Sequence, residues 1–137
     1  ELTALSKSNP GDRAIFFNRA ILMDKIGLIS GALKEYGDLL DGATPTAAQL
    51  NNRGVARLKT NMVSQAAGDF MAASSTDNSS AEAYFNMAVV NAYKGLTKKT
   101  IEFLDKAVEL DDSYKAFIFN NPAFSVMSED PRFDKFR

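Results

Sequence analysis

The chain has 137 residues, of which 45% are apolar and 24% are charged, and its 16 basic side chains nearly balance its 17 acidic ones. This length suits one domain that buries a hydrophobic core without disulfides or a structural metal. The net charge of −1 argues against a nucleic-acid-binding or polybasic membrane-surface domain, and no apolar run is long enough to insert into a membrane. Cysteine and histidine are both absent, which excludes thiolate nucleophiles, imidazole bases and the zinc sites that these residues form.

Similar short strings recur along the chain at a fixed spacing. The strings FNRA, NNRG and FNMA end at Ala20, Gly54 and Ala88, and successive ends are separated by 34 residues. Repetition of one spacing in several columns at once indicates a repeat architecture. The spacing also relates a mostly small set, a large set and a turn-forming set of residues: Ala32, Ala66 and Thr100; Tyr36, Phe70 and Leu104; Gly27, Asn61 and Gly95.

These columns predict that each repeat is a pair of helices. Apolar residues recur at steps of three and four within each half of a repeat, which is the helix period. The Gly and Asn column lies between the halves, where these residue types enter the left-handed conformation that ends a helix. Small residues let helix backbones approach closely, and the large column fills the space between neighbouring pairs. We predict helices over residues 13–26, 29–41, 47–60, 63–75, 81–94 and 97–110.

The repeat length and its small–large pattern resemble the tetratricopeptide-repeat family. The resemblance implies one all-α domain over residues 1–137, built as a right-handed superhelical solenoid of helix–turn–helix repeats. Residues 13–46, 47–80 and 81–114 would be three full repeats, residues 1–12 the end of an upstream repeat, and residues 115–137 a C-terminal helical cap. The chain departs from the family pattern where a large aromatic residue or Leu is usual, because Met23, Arg57 and Asn91 stand there.

The C-terminal residues carry two further helix-start signals. Asn121 precedes Pro122 and Asp130 precedes Pro131, and a capping side chain directly before a proline is typical of the start of a helix. Each predicted short helix has an apolar edge, formed by Phe124 with Met127 and by Phe133 with Phe136. A repeat array needs such an element to cover its last hydrophobic face. The alternative is that this segment lies in the groove as a self-peptide.

The resemblance also implies where a partner would bind. In this family, the first helices of successive repeats line a concave groove that holds a segment of another protein. Carried over to matching positions, the predicted partner-binding residues are Phe17, Asn18, Ile21, Lys25, Asn51, Asn52, Val55, Leu58, Lys59, Glu82, Phe85, Asn86, Val89 and Tyr93.

Two features of this groove remain open from the sequence. The repeated Asn18, Asn52 and Asn86 either bind a peptide backbone or support neighbouring turns. The aromatic residues Phe17, Phe85 and Tyr93 either form an exposed patch or belong to the core.

One family subclass, which clamps acidic C-termini with two Lys, two Asn and one Arg, is disfavoured. The corresponding positions hold Phe17, Ile21, Asn52, Glu82 and Asn86. Only one of the two Asn positions keeps its Asn, and the carboxylate of Glu82 would repel an acidic ligand.

The sequence predicts a protein-interaction scaffold with no catalytic residues, no cofactor and no metal, because no catalytic constellation, phosphate loop or metal motif is present. The expected partner is another protein or peptide. The alternative is a structural, self-assembling unit of a larger multidomain or envelope-associated protein that stacks through its repeat faces. An exposed apolar face at residues 1–10 would favour a homodimer. We expect a soluble protein of either the cytoplasm or the bacterial periplasm and cell envelope.

Overall fold

The computed structural model describes residues 20, 25, 27–40 and 44–137, and these residues form helices and no strands. Within them lie the α-helices α1 (Ile29–Leu40), α2 (Ala47–Lys59), α3 (Val63–Thr76), α4 (Ala81–Tyr93), α5 (Thr97–Leu110) and α6 (Lys115–Ile118). Short 3-10 helices span Asp112–Tyr114, Pro122–Phe124 and Pro131–Phe136. The predicted all-α fold is confirmed, and helices α1 to α5 begin at the predicted residues. The predicted helix over residues 13–26 lies outside the described residues except at residues 20 and 25.

The starts of α2 and α4 are fixed by polar side chains that satisfy the free backbone N–H groups. The Thr46 hydroxyl accepts a hydrogen bond from the Gln49 N–H at 3.2 Å, and the Gln49 side chain accepts one from the Thr46 N–H at 3.0 Å. This reciprocal capping box starts α2. Ser80 starts α4 by accepting from the Ala83 N–H at 3.2 Å.

The predicted turn residues have the predicted backbone conformation. Gly27, Asn61 and Gly95 have φ angles of 87°, 65° and 72°. These angles lie in the left-handed region, which glycine enters without strain and asparagine enters more readily than most residues. The column that spaces the repeats in the sequence therefore also reverses the chain in the structure.

Helices pack as antiparallel pairs, α2 with α3 and α4 with α5, and α3 joins the pairs by packing on α4. The small and large columns meet inside these pairs. A Cβ atom on Gly54 of α2 would lie 2.8 Å from Cδ1 of Phe70 on α3, so any larger residue there would force the ring to shift. Phe70 is fully buried and shares a cluster with Val90 of the next pair. The large column thus contacts both its own pair and its neighbour, as predicted.

The terminal segment, defined as residues 115–137, packs on the last helix pair. It contributes four buried side chains, Ile118, Phe124, Phe133 and Phe136, to the cluster that holds residues of α4 and α5. Both predicted proline starts are present, and Asn121 and Asp130 each accept a backbone hydrogen bond at 2.9 Å. The two elements that follow are 3-10 helices. The boundaries proposed for the repeats and the cap stay a prediction.

Candidate functional site

The predicted groove residues on α2 and α4 share one side of their helices. We call Asn51, Asn52, Val55 and Lys59 of α2, with Glu82, Phe85, Asn86, Val89 and Tyr93 of α4, the first-helix face. Its outermost members are Lys59, Glu82 and Tyr93, whose residues are exposed, and Tyr93 is 60% exposed. Lys25 is also exposed, whereas the predicted residues Phe17, Asn18 and Ile21 lie outside the described residues.

Two of the three asparagine side chains on this face have structural partners. The Asn86 amide nitrogen donates to the Asn51 side-chain oxygen at 3.3 Å, and the Asn51 amide nitrogen donates to the Ser80 hydroxyl at 3.4 Å. Asn51 and Asn86 are buried, while Asn52 is half-buried. The hydrogen bonds at Asn51 and Asn86 therefore join α2 to the start of α4 and to its first turns. Whether any asparagine also binds a partner stays a prediction.

The apolar members of the face divide between core and surface. Phe85 and Val89 are buried in the cluster formed with α5 and the terminal segment. Val55 is half-buried and packs against the cluster of Phe70 and Val90. Tyr93 is the large apolar residue of the face that is open to solvent. Of these apolar residues, Tyr93 therefore has the most surface available for the predicted partner contact, and Phe85 and Val89 have little.

An aromatic depression of about 340 Å³ lies where α4 meets the terminal segment. We call it the aromatic pocket. The ring centroids of Phe85 and Tyr114 are 5.2 Å apart, and those of Tyr114 and Phe117 are 5.9 Å apart. Phe85 is 8% exposed and Phe117 is 55% exposed, so the rings run from the core to solvent. The pocket is lined by Phe85, Tyr114, Phe117, Asn120, Asn121 and Pro122.

Two carboxylates stand beside the rings of the aromatic pocket. Glu82 precedes Phe85 by one turn of α4, and Asp111 caps the 3-10 helix that ends at Tyr114. Partial burial raises the pKa of Tyr114, and the negative charges of Glu82 and Asp111 raise that pKa further. Desolvation also raises the pKa of Glu82 itself. Hydrogen bonds from the Ser113 hydroxyl and N–H lower the pKa of Asp111, so this carboxylate stays charged at neutral pH. The site therefore combines aromatic faces with negative charge.

Comparison with known proteins adds information about the fold. No protein-family model and no curated protein matches the chain. Among solved structures, MamA is 18% identical with a TM-score of 0.77, covering 98% of this chain and 80% of MamA. The Arabidopsis OM64 TPR domain is 17% identical with a TM-score of 0.73, covering 95% of this chain and 98% of that domain.

YrrB, described as a TPR protein with an unusual peptide-binding site, is 11% identical with a TM-score of 0.72. The likeness covers 90% of this chain and 64% of YrrB, so the chain spans less than two thirds of YrrB. The chain has the tetratricopeptide-repeat fold. At these identities the likeness establishes the fold alone.

A buried ion cluster explains one departure from the usual tetratricopeptide-repeat pattern. Arg57 stands where a large apolar residue is usual, and its Nη1 lies 2.8 Å from Oδ2 of Asp69. Arg53 contacts the same carboxylate, with Nη2 2.7 Å from Oδ1. Asp69 is 4% exposed, so the two guanidinium groups, each reaching the surface, compensate its buried charge.

A second groove, of about 320 Å³, lies on another side of α4 between α3 and α5. Its apolar lining includes Met71, Met87 and Phe103, and Lys99 and Glu102 lie at its polar edge. Over the described residues, no group of three or more acidic side chains is placed to hold a metal ion. In the same part of the chain, no helix has both the length and the apolar character needed to cross a membrane.

The sequence did not predict the aromatic pocket, because two of its rings belong to the residues at and after the end of the last full repeat. A signal for it was present in the repeat frame. Phe119 and Asn120 stand 34 residues after Phe85 and Asn86, so the frame continues into the terminal segment. Extending the tetratricopeptide columns past residue 114 would have marked this region as the start of another first helix.

Proposed function

We propose that this protein is a non-catalytic protein-interaction scaffold that binds a segment of a partner protein along the first-helix face. The observation that carries the proposal is the combination of an exposed aromatic side chain, Tyr93, with an open aromatic pocket at the same face. Exposed apolar groups beside polar and charged ones are typical of interaction surfaces. The fold supports the proposal, because in tetratricopeptide-repeat proteins the first helices line the groove that holds a segment of the partner.

The test compares partner capture by the wild-type chain with capture by a face variant. Lys59→Glu with Tyr93→Glu changes two exposed side chains of the first-helix face. We expect this variant to lose a partner that the wild type retains from a lysate of the source organism, because the new carboxylates disrupt the contact while the core stays intact.

A matched control makes the same two kinds of change elsewhere. Met71→Glu with Lys99→Glu also introduces two glutamates at exposed positions, at the groove between α3 and α5. This control should retain the partner. Loss of the partner by the control alone would contradict the proposal and place binding at that groove. Capture of a second copy of the chain would favour the self-assembling alternative. The face at residues 1–10 from which a homodimer is predicted lies outside the described residues.

A further inference from the structure

The aromatic pocket has the chemistry of a cation-binding site. Aromatic faces attract a cation through the ring quadrupole, and a nearby carboxylate adds charge attraction. The rings of Tyr114 and Phe117 supply the accessible faces, and Glu82 and Asp111 supply the negative charge. Asn120 uses its amide nitrogen to donate to the Ala116 carbonyl at 3.2 Å. Its side-chain oxygen is the atom that can accept a hydrogen bond from a ligand.

Elsewhere the chain already holds its own cations over aromatic rings. The Arg137 guanidinium lies 4.5 Å from the ring centroid of Phe119, and the Lys135 ammonium lies 5.6 Å from that of Phe136. Phe119 occupies the repeat position that Phe85 occupies one repeat earlier. The contact between Arg137 and Phe119 thus shows a basic side chain packed on an aromatic ring at the repeat position equivalent to Phe85.

The charge of the aromatic pocket is not neutralised in the same way. Within the described residues, the cations seen over rings lie at Tyr84, Phe119 and Phe136. Lys115, next to Tyr114 in the chain, lies 3.3 Å from the carboxylate of Asp112. Over the described residues, the rings of Tyr114 and Phe117 therefore carry no cation, and neither Glu82 nor Asp111 forms an ion pair.

We infer that the aromatic pocket is the anchor site for a lysine or arginine side chain of the partner segment. This inference rests on the proposed function, because it specifies the ligand of the same face. An acidic side chain would be repelled by Glu82 and Asp111. A neutral apolar side chain would further desolvate Glu82 without supplying a counter-charge, which is unfavourable. A cationic side chain satisfies both the rings and the carboxylates.

The test is a titration of the full chain with blocked tripeptides, followed through its amide and aromatic NMR resonances. The probes are acetyl-Gly-Arg-Gly-amide and acetyl-Gly-Lys-Gly-amide. The control is acetyl-Gly-citrulline-Gly-amide, which keeps the shape of arginine without its charge. We expect the arginine and lysine probes to shift the resonances of Tyr114, Phe117 and Asn120. The citrulline probe should bind about three- to fivefold more weakly, since the cation–π and charge terms are lost.

Two variants and one control locate the effect. Glu82→Gln and Phe117→Leu should each weaken binding of the arginine probe, because they remove the charge and the exposed ring. Glu102→Gln removes an exposed carboxylate on α5, at the other groove, and should leave binding unchanged. If Phe117→Leu perturbs the fold, the citrulline comparison and Glu82→Gln still decide the outcome.

Equal binding of citrulline and arginine would overturn the inference, as would resonance shifts confined to another surface. Failure here is distinguishable from failure of the proposed function. A partner that is lost with Lys59→Glu and Tyr93→Glu, while neither cationic probe binds, would leave the first-helix face intact and remove only the cationic anchor. If the cationic probes bind while that variant still retains the partner, the aromatic pocket binds cations but the first-helix face does not bind the partner.

Discussion

Gly54 is the position where a single methyl group decides how closely α2 and α3 pack. A Cβ atom there would meet the ring of fully buried Phe70, 2.8 Å from Cδ1. We expect Gly54→Ala to lower the free energy of unfolding by ~1–3 kcal/mol, because the ring must leave its favoured position. Urea unfolding followed by circular dichroism measures this change.

Gly68 on α3 provides the matched control. It is an exposed helical glycine, and a methyl group added to it would meet no other atom within 4 Å. Gly68→Ala should stabilise the chain by ~0.5–1 kcal/mol through helix propensity. Equal effects of the two substitutions would show that the contact between Gly54 and Phe70 does not control the packing.

Asp130 combines a capping role with an ion pair. Its carboxylate accepts hydrogen bonds from the side chain and backbone N–H of Arg132, which lower its pKa from 3.8 to about 2. Because the pKa of Asp130 is depressed in the folded state, its ionised carboxylate stabilises the fold. That stabilisation is fully present above the ordinary pKa of 3.8 and is lost as the pH falls toward 2.

We expect Arg132→Ala to raise the pKa of Asp130 toward its ordinary value, since the largest cause of the shift is then removed. An NMR titration of the Asp130 carboxyl carbon measures it, and the carboxyl carbon of Asp134, an exposed residue in the 3-10 helix that Asp130 caps, is followed in the same spectra for comparison. An unchanged pKa of Asp130 in the variant would show that the side chain of Arg132 does not cause the depression.

At the scale of helices, the second repeat uses charge where the third uses apolar side chains. Arg53 and Asp69 form an ion pair between α2 and α3, and Met87 and Phe103 stand at the equivalent positions 34 residues later. We expect Asp69→Ala to destabilise the chain by ~2–4 kcal/mol, because two guanidinium groups lose their buried partner. Thermal and urea unfolding measure the loss.

The double substitution Arg53→Met with Asp69→Phe places the third-repeat residues at these two positions of the second repeat and leaves Arg57, which reaches the surface, to be solvated. It should recover most of that stability, since apolar groups of suitable volume can replace a buried ion pair. A double variant less stable than Asp69→Ala would contradict the equivalence of the two arrangements.

The sequence predicted the helices accurately where the repeat frame is continuous. Gly27, Asn61 and Gly95 have one role in each repeat, so their spacing located both the turns and the starts of the helices that follow them, α1, α3 and α5. The terminal segment was predicted less completely. Pro122 stands where Ala88 stands one repeat earlier, and a proline at that position removes a backbone N–H and blocks continuation of the helix. Helix α6, which begins at Lys115 where the frame expects a first helix, therefore ends at Ile118.

The groove residues were harder to predict than the fold, because a helix position does not specify how far a side chain is exposed. Phe85 and Tyr93 lie on one side of α4, yet Phe85 is covered by Tyr114 and Phe124 while Tyr93 is open. That difference depends on the path of the chain from Tyr114 through the terminal segment, which the repeat columns do not specify. The ion pair between Arg57 and Asp69 could not be predicted either, since the repeat frame assigns an apolar residue to position 57.

At the scale of the whole molecule, the terminal segment and the last helix pair share one core. Ile118, Phe124, Phe133 and Phe136 are at most 4% exposed. Burying such a side chain stabilises a protein by ~1.5–3 kcal/mol, and a typical domain unfolds at a cost of only ~5–15 kcal/mol. We expect a chain that ends at residue 114 to lose cooperative thermal unfolding and to bind the dye ANS. Calorimetry and dye fluorescence measure these changes.

Val126 controls for changes to the terminal segment that do not touch the core. It is 91% exposed, and Val126→Ser should leave the unfolding temperature unchanged. Cooperative unfolding of the shortened chain at the wild-type temperature would contradict the shared core.

Site-directed photo-cross-linking tests the partner-binding face most directly. A photoreactive phenylalanine analogue is placed at Tyr93 or Phe117 of the first-helix face and aromatic pocket, or at Met71 of the opposite groove, all exposed positions. On irradiation in an extract of the source organism, we expect adducts with the same partner from Tyr93 and Phe117 and none from Met71. Adducts formed from Met71 alone would contradict the account and place the partner between α3 and α5.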